Sequence, residues 1–275
     1  MSLILIRLAR PMNVLIAFLS TLTGAYCAYG SVTDWPVLIA GAAIACLCAA
    51  ANVSNDYFDR EIDAINKPNR PLPSGQISAS AVRIWWWSLY TGGLALAALN
   101  GWSHLILAAG ITGVSLMYNG WLKRKGFAGN IAVSLTAATA FLFGGLSGDK
   151  PLYALIPVAF AFLFHLGREI IKDIEDVAGD RAGGIGSLPI RYGVSTARNT
   201  ATVVFLVLVA LTILPVYQRW FGAPYLGVVI LVNLMILYAL YTLWQDTGAQ
   251  NAGRVGRLLK ADMALGLVAL LMGRF

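Results

Sequence analysis

Long apolar runs recur along the 275 residues of this chain, of which 58% are hydrophobic and 12% are charged. Each run has about 17–25 residues, the length that a helix needs to cross about 30 Å of hydrocarbon. Because a bilayer core offers no water to the backbone, such a run crosses it as an α-helix, whose N–H and C=O groups are bonded internally. We therefore predict an all-α polytopic membrane protein in which residues 1–275 form a single transmembrane domain. The predicted spans are residues 11–31, 35–57, 80–99, 102–119, 127–147, 151–175, 194–217, 223–245 and 254–273.

The basic residues are distributed unevenly between the two sides that these nine spans define. With the N-terminus in the cytoplasm, 17 of the 20 lysines and arginines lie on the cytoplasmic side, and Lys150, Arg219 and Arg274 do not. Positive charge of this kind marks the cytoplasmic side, so we expect a cell-membrane protein with its N-terminus inside and its C-terminus outside. Topology also accounts for the net charge of +7, which therefore indicates no nucleic-acid partner.

The acidic residues are concentrated in two short windows. Eight of the thirteen Asp and Glu residues lie in "DYFDREID" and "DIEDVAGD", and each window contains D-x-x-D-x-x-x-D. The motifs are 117 residues and four predicted spans apart, so both lie on the cytoplasmic side. This spacing predicts a parallel internal repeat of spans 2–5 and 6–9. The first acidic motif is Asp56, Asp59 and Asp63, and the second acidic motif is Asp173, Asp176 and Asp180.

The spacing within each motif predicts a stripe of carboxylates. Positions i, i+3 and i+7 share one face of a helix, and Asn55 extends the first stripe. Like charges at a membrane repel one another and are costly, and a divalent cation offsets that cost. Oxygen ligands favour Mg²⁺ or Mn²⁺. The alternative is that each motif is a solvated helix end paired with nearby Lys and Arg, but two motifs with the same spacing on one side favour metal sites.

Basic and polar residues on the same side could meet the oxygens of a diphosphate. Arg168 and Lys172 lie in the last turns of a span, where a charge is most costly, and this position favours a functional role. Tyr118 is either a hydrogen-bond donor or an interfacial tyrosine. The loop "NKPNRPLPSG" is stiffened by prolines and is long enough to cover the first motif as a lid. The basic candidates, each of which could instead be a topology anchor, are Lys67, Arg70, Lys123, Arg124, Lys125, Arg168, Lys172 and Arg181.

Several segments resemble those of a known family. "NDYFDREID" is similar to the N-D-x-x-D-x-x-x-D signature of the intramembrane prenyltransferases, the UbiA superfamily, and "DVAGD" is similar to its second D-x-x-x-D. "INKPNRPLPSGQIS", "YNGWLKRKGFAGN" and "GDRAGGIGSLPIRYG" also resemble family segments, in the same order. The resemblance covers nearly the whole chain. It implies a helical bundle around a large central cavity, two Mg²⁺ ions that hold a prenyl diphosphate between the motifs, and prenyl transfer to an acceptor.

The same resemblance implies roles for individual residues. Asn55, Asp59 and Asp63 would bind one metal ion, with Asp56 beside them, and Asp176 and Asp180 would bind the other. The five aspartates are the implied catalytic residues. Asn13 would line the cavity. The implied substrate-binding residues are Asn13, Asn55, Lys67, Arg70, Tyr118, Lys123, Arg168, Lys172 and Asp173.

The acceptor is suggested by a narrower resemblance. "KDIEDVAGD" and the "NRPLPSG" loop are most similar to the digeranylgeranylglyceryl phosphate synthases, which transfer geranylgeranyl to geranylgeranylglyceryl phosphate in ether-lipid synthesis. The implied partners are a prenyl diphosphate, a lipid-soluble acceptor and membrane lipid. Enzymes that prenylate aromatic or tetrapyrrole acceptors, of the quinone or chlorophyll synthase type, are the alternatives. A cation transporter is the alternative from another class, but it predicts charges near the bilayer midplane, whereas both motifs lie at the ends of spans.

Overall fold

A computed structural model describes residues 2–148 and 150–273 of the chain. These residues form thirteen α-helices and two short 3₁₀ turns and contain no β-strand, so the all-α prediction is confirmed. Arg274, which the charge distribution assigns to the outer side, lies outside the described residues. In chain order the α-helices are α1 (Ser2–Ala9), α2 (Pro11–Tyr29), α3 (Trp35–Phe58), α4 (Arg60–Asn66), α5 (Ala79–Leu99), α6 (Trp102–Gly120), α7 (Phe127–Gly145), α8 (Leu155–Glu175), α9 (Val177–Ala182), α10 (Leu188–Tyr192), α11 (Val194–Tyr217), α12 (Ala223–Gln245) and α13 (Ala249–Met272).

Six helical segments are long and apolar enough to cross a membrane. They are α2, α3, α7, α11, α12 and the segment Pro151–Glu175, which includes α8. Each of the six matches a predicted span. The other three predicted spans coincide with α5, α6 and α13, which have 21, 19 and 24 residues. These helices are long enough, but they are not both as apolar and as poor in charged residues as the other six segments. The polytopic helical architecture is therefore confirmed, whereas the number of nine spans stays a prediction.

The helices group into two compact units, each with a buried apolar core. The first unit comprises Met1–Lys123 and Thr139–Ala154, and the second comprises Arg124–Ala138 and Leu155–Phe275. Helix α7 begins in the second unit and ends in the first. Each acidic motif lies within one unit, so the surroundings of each can be described separately.

In the first unit, α3 is the central helix and packs against α2, α5 and α6. Small residues allow α2 and the end of α7 to approach closely: a Cβ at Gly24 would overlap the carbonyl of Phe141, and one at Gly144 would overlap that of Thr21. Close approach of this kind is typical of helices that pack in lipid. Members of the core include Ile44, Leu47, Trp86, Tyr90 and Phe143.

In the second unit, α8 packs against α11 and α13, and α12 packs against α13. The rings of Phe164 and Phe205 meet edge to face with centroids 5.7 Å apart. Gly126 precedes α7 with a φ of 63°, and a Cβ there would overlap the carbonyl oxygen of Gly186. The loop that follows the second acidic motif is thus packed against the start of α7.

One buried carboxyl in the second unit has no partner. Asp262 on α13 is 0% exposed, and neither of its side-chain oxygens has a hydrogen-bonding partner among the described residues. A buried polar group without a partner carries its full desolvation cost.

We expect Asp262→Leu, which keeps the branching of the side chain and removes both oxygens, to raise the free energy of unfolding by about 1–3 kcal/mol. Thermal unfolding in detergent measures the change, and Asp262→Asn, which keeps a polar group at the position, serves as the matched control. A midpoint for Asp262→Leu at or below that of Asp262→Asn would contradict the expectation.

Candidate active site

Both acidic motifs continue across a break between two helices. Helix α3 ends at Phe58 and α4 begins at Arg60, while α8 ends at Glu175 and α9 begins at Val177. The middle aspartate of each motif occupies the break, with φ and ψ of −85° and 0° at Asp59 and of −94° and 7° at Asp176. Each acidic motif is therefore divided between two helices. The shared break gives the two motifs the same local structure.

Backbone hydrogen bonds preserve the helical spacing across each break. The amide of Asp59 donates to the carbonyl of Asn55 at 2.9 Å, and that of Asp63 donates to the carbonyl of Asp59 at 2.7 Å. In the second motif the amide of Asp180 donates to the carbonyl of Asp176 at 2.9 Å. The carboxylates consequently remain one turn apart even though the helix is interrupted.

The three carboxylates of the first motif are buried, with Asp56, Asp59 and Asp63 exposed by 6%, 8% and 5%. Arg70 binds two of them: its Nη1 donates to Asp63 Oδ2 at 2.5 Å and to Asp56 Oδ1 at 3.2 Å. Burial raises the pKa of the Asp63 carboxyl above its ordinary value, and the charge of Arg70 opposes that rise. Arg70 therefore offsets part of the cost of burying these two acids.

The middle carboxylate, Asp59, has partners of its own. Lys123 Nζ donates to Asp59 Oδ2, and Asn55 Nδ2 donates to the same oxygen at 2.9 Å. Lys123 lies in the 3₁₀ turn Leu122–Lys125 that follows α6. The structure thus brings together the three predicted metal ligands of the first motif, and Asp56 beside them, with two of the predicted basic residues.

The loop after α4 folds back towards the first motif through Arg70. The amide of Lys67 donates to the carbonyl of Asp63 at 2.8 Å, and that of Ser74 donates to the carbonyl of Arg70 at 3.0 Å. Ser74 Oγ also donates to the carbonyl of Arg70, at 2.7 Å. The side chain of Lys67 is exposed. The side chain of Arg70 therefore holds the predicted lid segment at the motif.

Arg10 is a member of the site that the sequence interpretation did not include. Its Nη2 donates to Asp56 Oδ1 at 2.5 Å, and its side chain is 32% exposed. Arg10 lies three residues before Asn13, which was predicted to line the cavity, and this proximity was the signal in the sequence that could have indicated Arg10. Asn13 itself is half-buried in the first turn of α2, and its amide donates to the carbonyl of Arg10 at 2.8 Å.

In the second unit, Asp173 is bonded by a residue that was also missed. Asn130 Nδ2 donates to Asp173 Oδ2 at 2.8 Å, which connects the first turn of α7 to α8. The sequence marked Asn130 only as the end of a family-like segment. Asp176 and Asp180 are half-buried at the break and in α9.

The two predicted basic residues of α8 share a carboxylate that the sequence interpretation did not include. Glu169 is buried, Arg168 Nη1 donates to its Oε1 at 3.2 Å, and Lys172 Nζ donates to its Oε2 at 3.3 Å. Tyr118, the remaining candidate, lies half-buried near the end of α6 in the first unit. Glu169 therefore orients both cations on α8.

The donor set of each motif fits a hard divalent cation. Within residues 2–148 and 150–273, no three His, Cys, Asp or Glu side chains converge in an arrangement that could hold a metal ion. In the first motif, one oxygen of each carboxylate is bonded to a guanidinium or ammonium group. Buried carboxylate and amide oxygens are nevertheless the ligand types that Mg²⁺ prefers. The residues present therefore fit Mg²⁺ by chemistry.

Comparison with known proteins identifies the family. Residues 17–261 match the model of the UbiA prenyltransferase family. The digeranylgeranylglyceryl phosphate synthase of Methanopyrus kandleri is 38% identical over 266 residues, which are 97% of each chain. A solved structure of digeranylgeranylglyceryl phosphate synthase is 31% identical, with a TM-score of 0.78, and the match covers 98% of this chain and 97% of that one.

A more distant solved structure shares the fold. A UbiA homolog from Archaeoglobus fulgidus, solved with DMAPP and Mg²⁺, is 18% identical with a TM-score of 0.72, and the match covers 97% of this chain and 98% of the homolog. The matching family, the near full-length relatives and the helical fold all agree, and this chain belongs to the UbiA prenyltransferase family.

Proposed function

We propose that this prenyltransferase transfers a geranylgeranyl group from its diphosphate to geranylgeranylglyceryl phosphate, the reaction of a digeranylgeranylglyceryl phosphate synthase. Near full-length similarity to synthases of that name supports the acceptor. The observation that carries the chemistry is the first acidic motif, where three buried carboxylates are paired with Arg70 and Lys123. A site of this kind can bind both a divalent cation and a diphosphate.

We assign one Mg²⁺ ion to each acidic motif. Asn55, Asp59 and Asp63 would hold the first ion, and Asp176 and Asp180 the second. Bound Mg²⁺ supplies Lewis acidity and neutralises charge on the leaving diphosphate. The Archaeoglobus fulgidus homolog was solved with Mg²⁺, and that agrees with the choice of ion. The number of two ions rests on the two motifs.

Ion pairs with the first acidic motif position Arg70 and Lys123 where we expect the diphosphate to bind. Arg70 and Lys123 are positioned by Asp63 and Asp59, whose oxygens would serve the metal in the loaded enzyme. Both cations can then exchange their carboxylate partners for phosphate oxygens without leaving the site. Cations fixed in advance lower the energy of the charge that develops when the allylic C–O bond breaks. We also assign substrate binding to Asn13, Lys67 and Tyr118 in the first unit and to Arg168, Lys172 and Asp173 in the second.

The remaining steps follow from the chemistry of the substrates. Breaking the bond between C1 of the prenyl group and the diphosphate oxygen leaves an allylic cation, which the apolar helices shield from water. The glycerol hydroxyl of the acceptor then forms the new C–O bond, and its proton passes to a carboxylate of an acidic motif.

We propose that the two units act as a single domain in the cell membrane, with both motifs and the N-terminus on the cytoplasmic side and the C-terminus outside.

Purified protein in detergent, incubated with labelled geranylgeranyl diphosphate and geranylgeranylglyceryl phosphate, is expected to form labelled ether lipid only when Mg²⁺ is present. Chelation with EDTA should abolish the product and renewed Mg²⁺ should restore it, because the bound ion would neutralise the charge on the leaving diphosphate. Label transferred to an aromatic or tetrapyrrole acceptor, and not to the glycerol lipid, would contradict the proposed acceptor.

We expect Asp59→Ala and Asp176→Ala each to lower kcat by about 100-fold or more. Each change removes a proposed ligand of a Mg²⁺ ion, and the charge of that ion would stabilise the leaving diphosphate. Glu61→Ala is the matched control, since Glu61 lies in the same acidic window with a side chain that is 85% exposed. Near-normal turnover of either aspartate variant would argue against its place in the metal site.

Replacing Lys123 tests the diphosphate contact. We expect Lys123→Gln to raise the KM for geranylgeranyl diphosphate by about tenfold, because one charge-assisted hydrogen bond to phosphate is lost. Arg83→Gln, at an exposed basic residue near the start of α5, should leave the KM unchanged. Equal KM values for the two variants would exclude the proposed contact.

A further inference from the structure

The junction between α1 and α2 has an unfavourable backbone conformation at Arg10. Helix α1 ends at Ala9 and α2 begins at Pro11, and between them Arg10 has φ and ψ of 56° and 73°. Non-glycine residues rarely adopt this left-handed conformation, and the residue before a proline normally has an extended backbone. Strained backbone of this kind persists only where the surrounding structure enforces it.

Two polar contacts to α3 hold the junction in place. Asn52 Nδ2 donates to the carbonyl of Ala9 at 3.0 Å, and Arg10 Nη2 donates to Asp56 Oδ1 at 2.5 Å. Asn52 and Asp56 are four residues apart in α3 and share one face of that helix. Leu8, 1% exposed, packs in the core of the first unit. The junction is therefore fixed to the same helix that carries the first acidic motif.

Asp56 connects this junction to the lid segment. The same oxygen, Oδ1, accepts from Arg10 and from Arg70, and Arg70 also binds Asp63. Arg10 and Arg70 are the cations paired with Asp56 in the part of the chain that the structure describes. Without Arg10, the buried Asp56 carboxylate would bind Arg70 more strongly. Arg10 thus neutralises part of the charge on Asp56 and weakens the ion pair between Asp56 and Arg70.

We infer that Arg10 is a positioning residue of the active site: by binding Asp56 it leaves Arg70 free to exchange Asp63 for the diphosphate, and it fixes the α1–α2 junction to the first acidic motif. The inference deepens the proposed function and depends on it for the role given to Arg70. Asp56 on this account acts through Arg10 and Arg70, beside the metal ligands Asn55, Asp59 and Asp63.

The test compares Arg10→Ala, Arg10→Lys, Asp56→Asn and the double variant Arg10→Ala/Asp56→Asn. Arg7→Ala is the matched control, because Arg7 is an exposed arginine on α1. Steady-state kinetics give kcat and the KM for geranylgeranyl diphosphate. Hydrogen exchange of the amides of residues 74–76, which bond within the lid segment, reports its order without any need for turnover.

We expect Arg10→Ala to raise the KM for geranylgeranyl diphosphate by about tenfold with a smaller effect on kcat. It should also slow exchange at residues 74–76 several-fold, because Asp56 then holds Arg70 and the lid segment more strongly. Arg10→Lys should give a KM between those of wild type and Arg10→Ala, since the charge remains but the guanidinium geometry does not. In the double variant the neutral Asp56→Asn side chain no longer competes for Arg70, so its KM should not exceed that of Asp56→Asn alone.

Several results would overturn the inference. They are a KM and exchange pattern for Arg10→Ala equal to those of Arg7→Ala, additive effects in the double variant, and a lowered melting temperature with unchanged KM in the folded protein. If Arg10→Ala does not fold, the ordering of Arg10→Lys against wild type and Arg7→Ala decides the question. A wild-type protein that makes no ether lipid contradicts the proposed function alone, because the exchange comparison still tests whether Arg10 weakens the hold of Asp56 on the lid segment.

Discussion

The structure of the first unit depends on the cost of burying negative charge at the end of a membrane helix. Asp56, Asp59 and Asp63 are each less than a tenth exposed, and an isolated carboxylate in such surroundings is strongly unfavourable. Three cations from different segments offset that cost: Arg10 from the α1–α2 junction, Arg70 from the lid segment and Lys123 from the turn after α6. Pairing these charges draws segments that are far apart in sequence to one place.

The same electrostatic arrangement connects stability to function. A carboxylate site that is satisfied by basic side chains is also a site in which those side chains are fixed where an anionic substrate binds. Truncating one partner of a buried charge pair leaves the other uncompensated, so such residues are costly to change even when they do not touch the substrate. In the second unit Glu169 has a comparable role, because it is buried and orients Arg168 and Lys172.

The acidic motifs show how far local pattern predicts this site. The spacing of Asp56, Asp59 and Asp63 predicted carboxylates on one helical face, and backbone hydrogen bonds keep that spacing. The spacing did not predict that the helix breaks at Asp59 and again at Asp176, since no proline or glycine occupies either position. A pattern of side chains reports the period of a helix, but a single residue outside helical geometry leaves that period almost unchanged.

By itself the sequence determined the class of fold and the pair of acidic motifs, because apolar length and motif spacing are local properties of the chain. The segments around the motifs also carried the resemblance to the family. Only the tertiary structure decided which cation meets which carboxylate. Arg70 and Lys123 were among the candidates, whereas Arg10, Asn130 and Glu169 were not. The physical reason is that an ion pair between distant segments depends on how the helices pack, and any of the many basic residues on that side carries the same charge in the sequence.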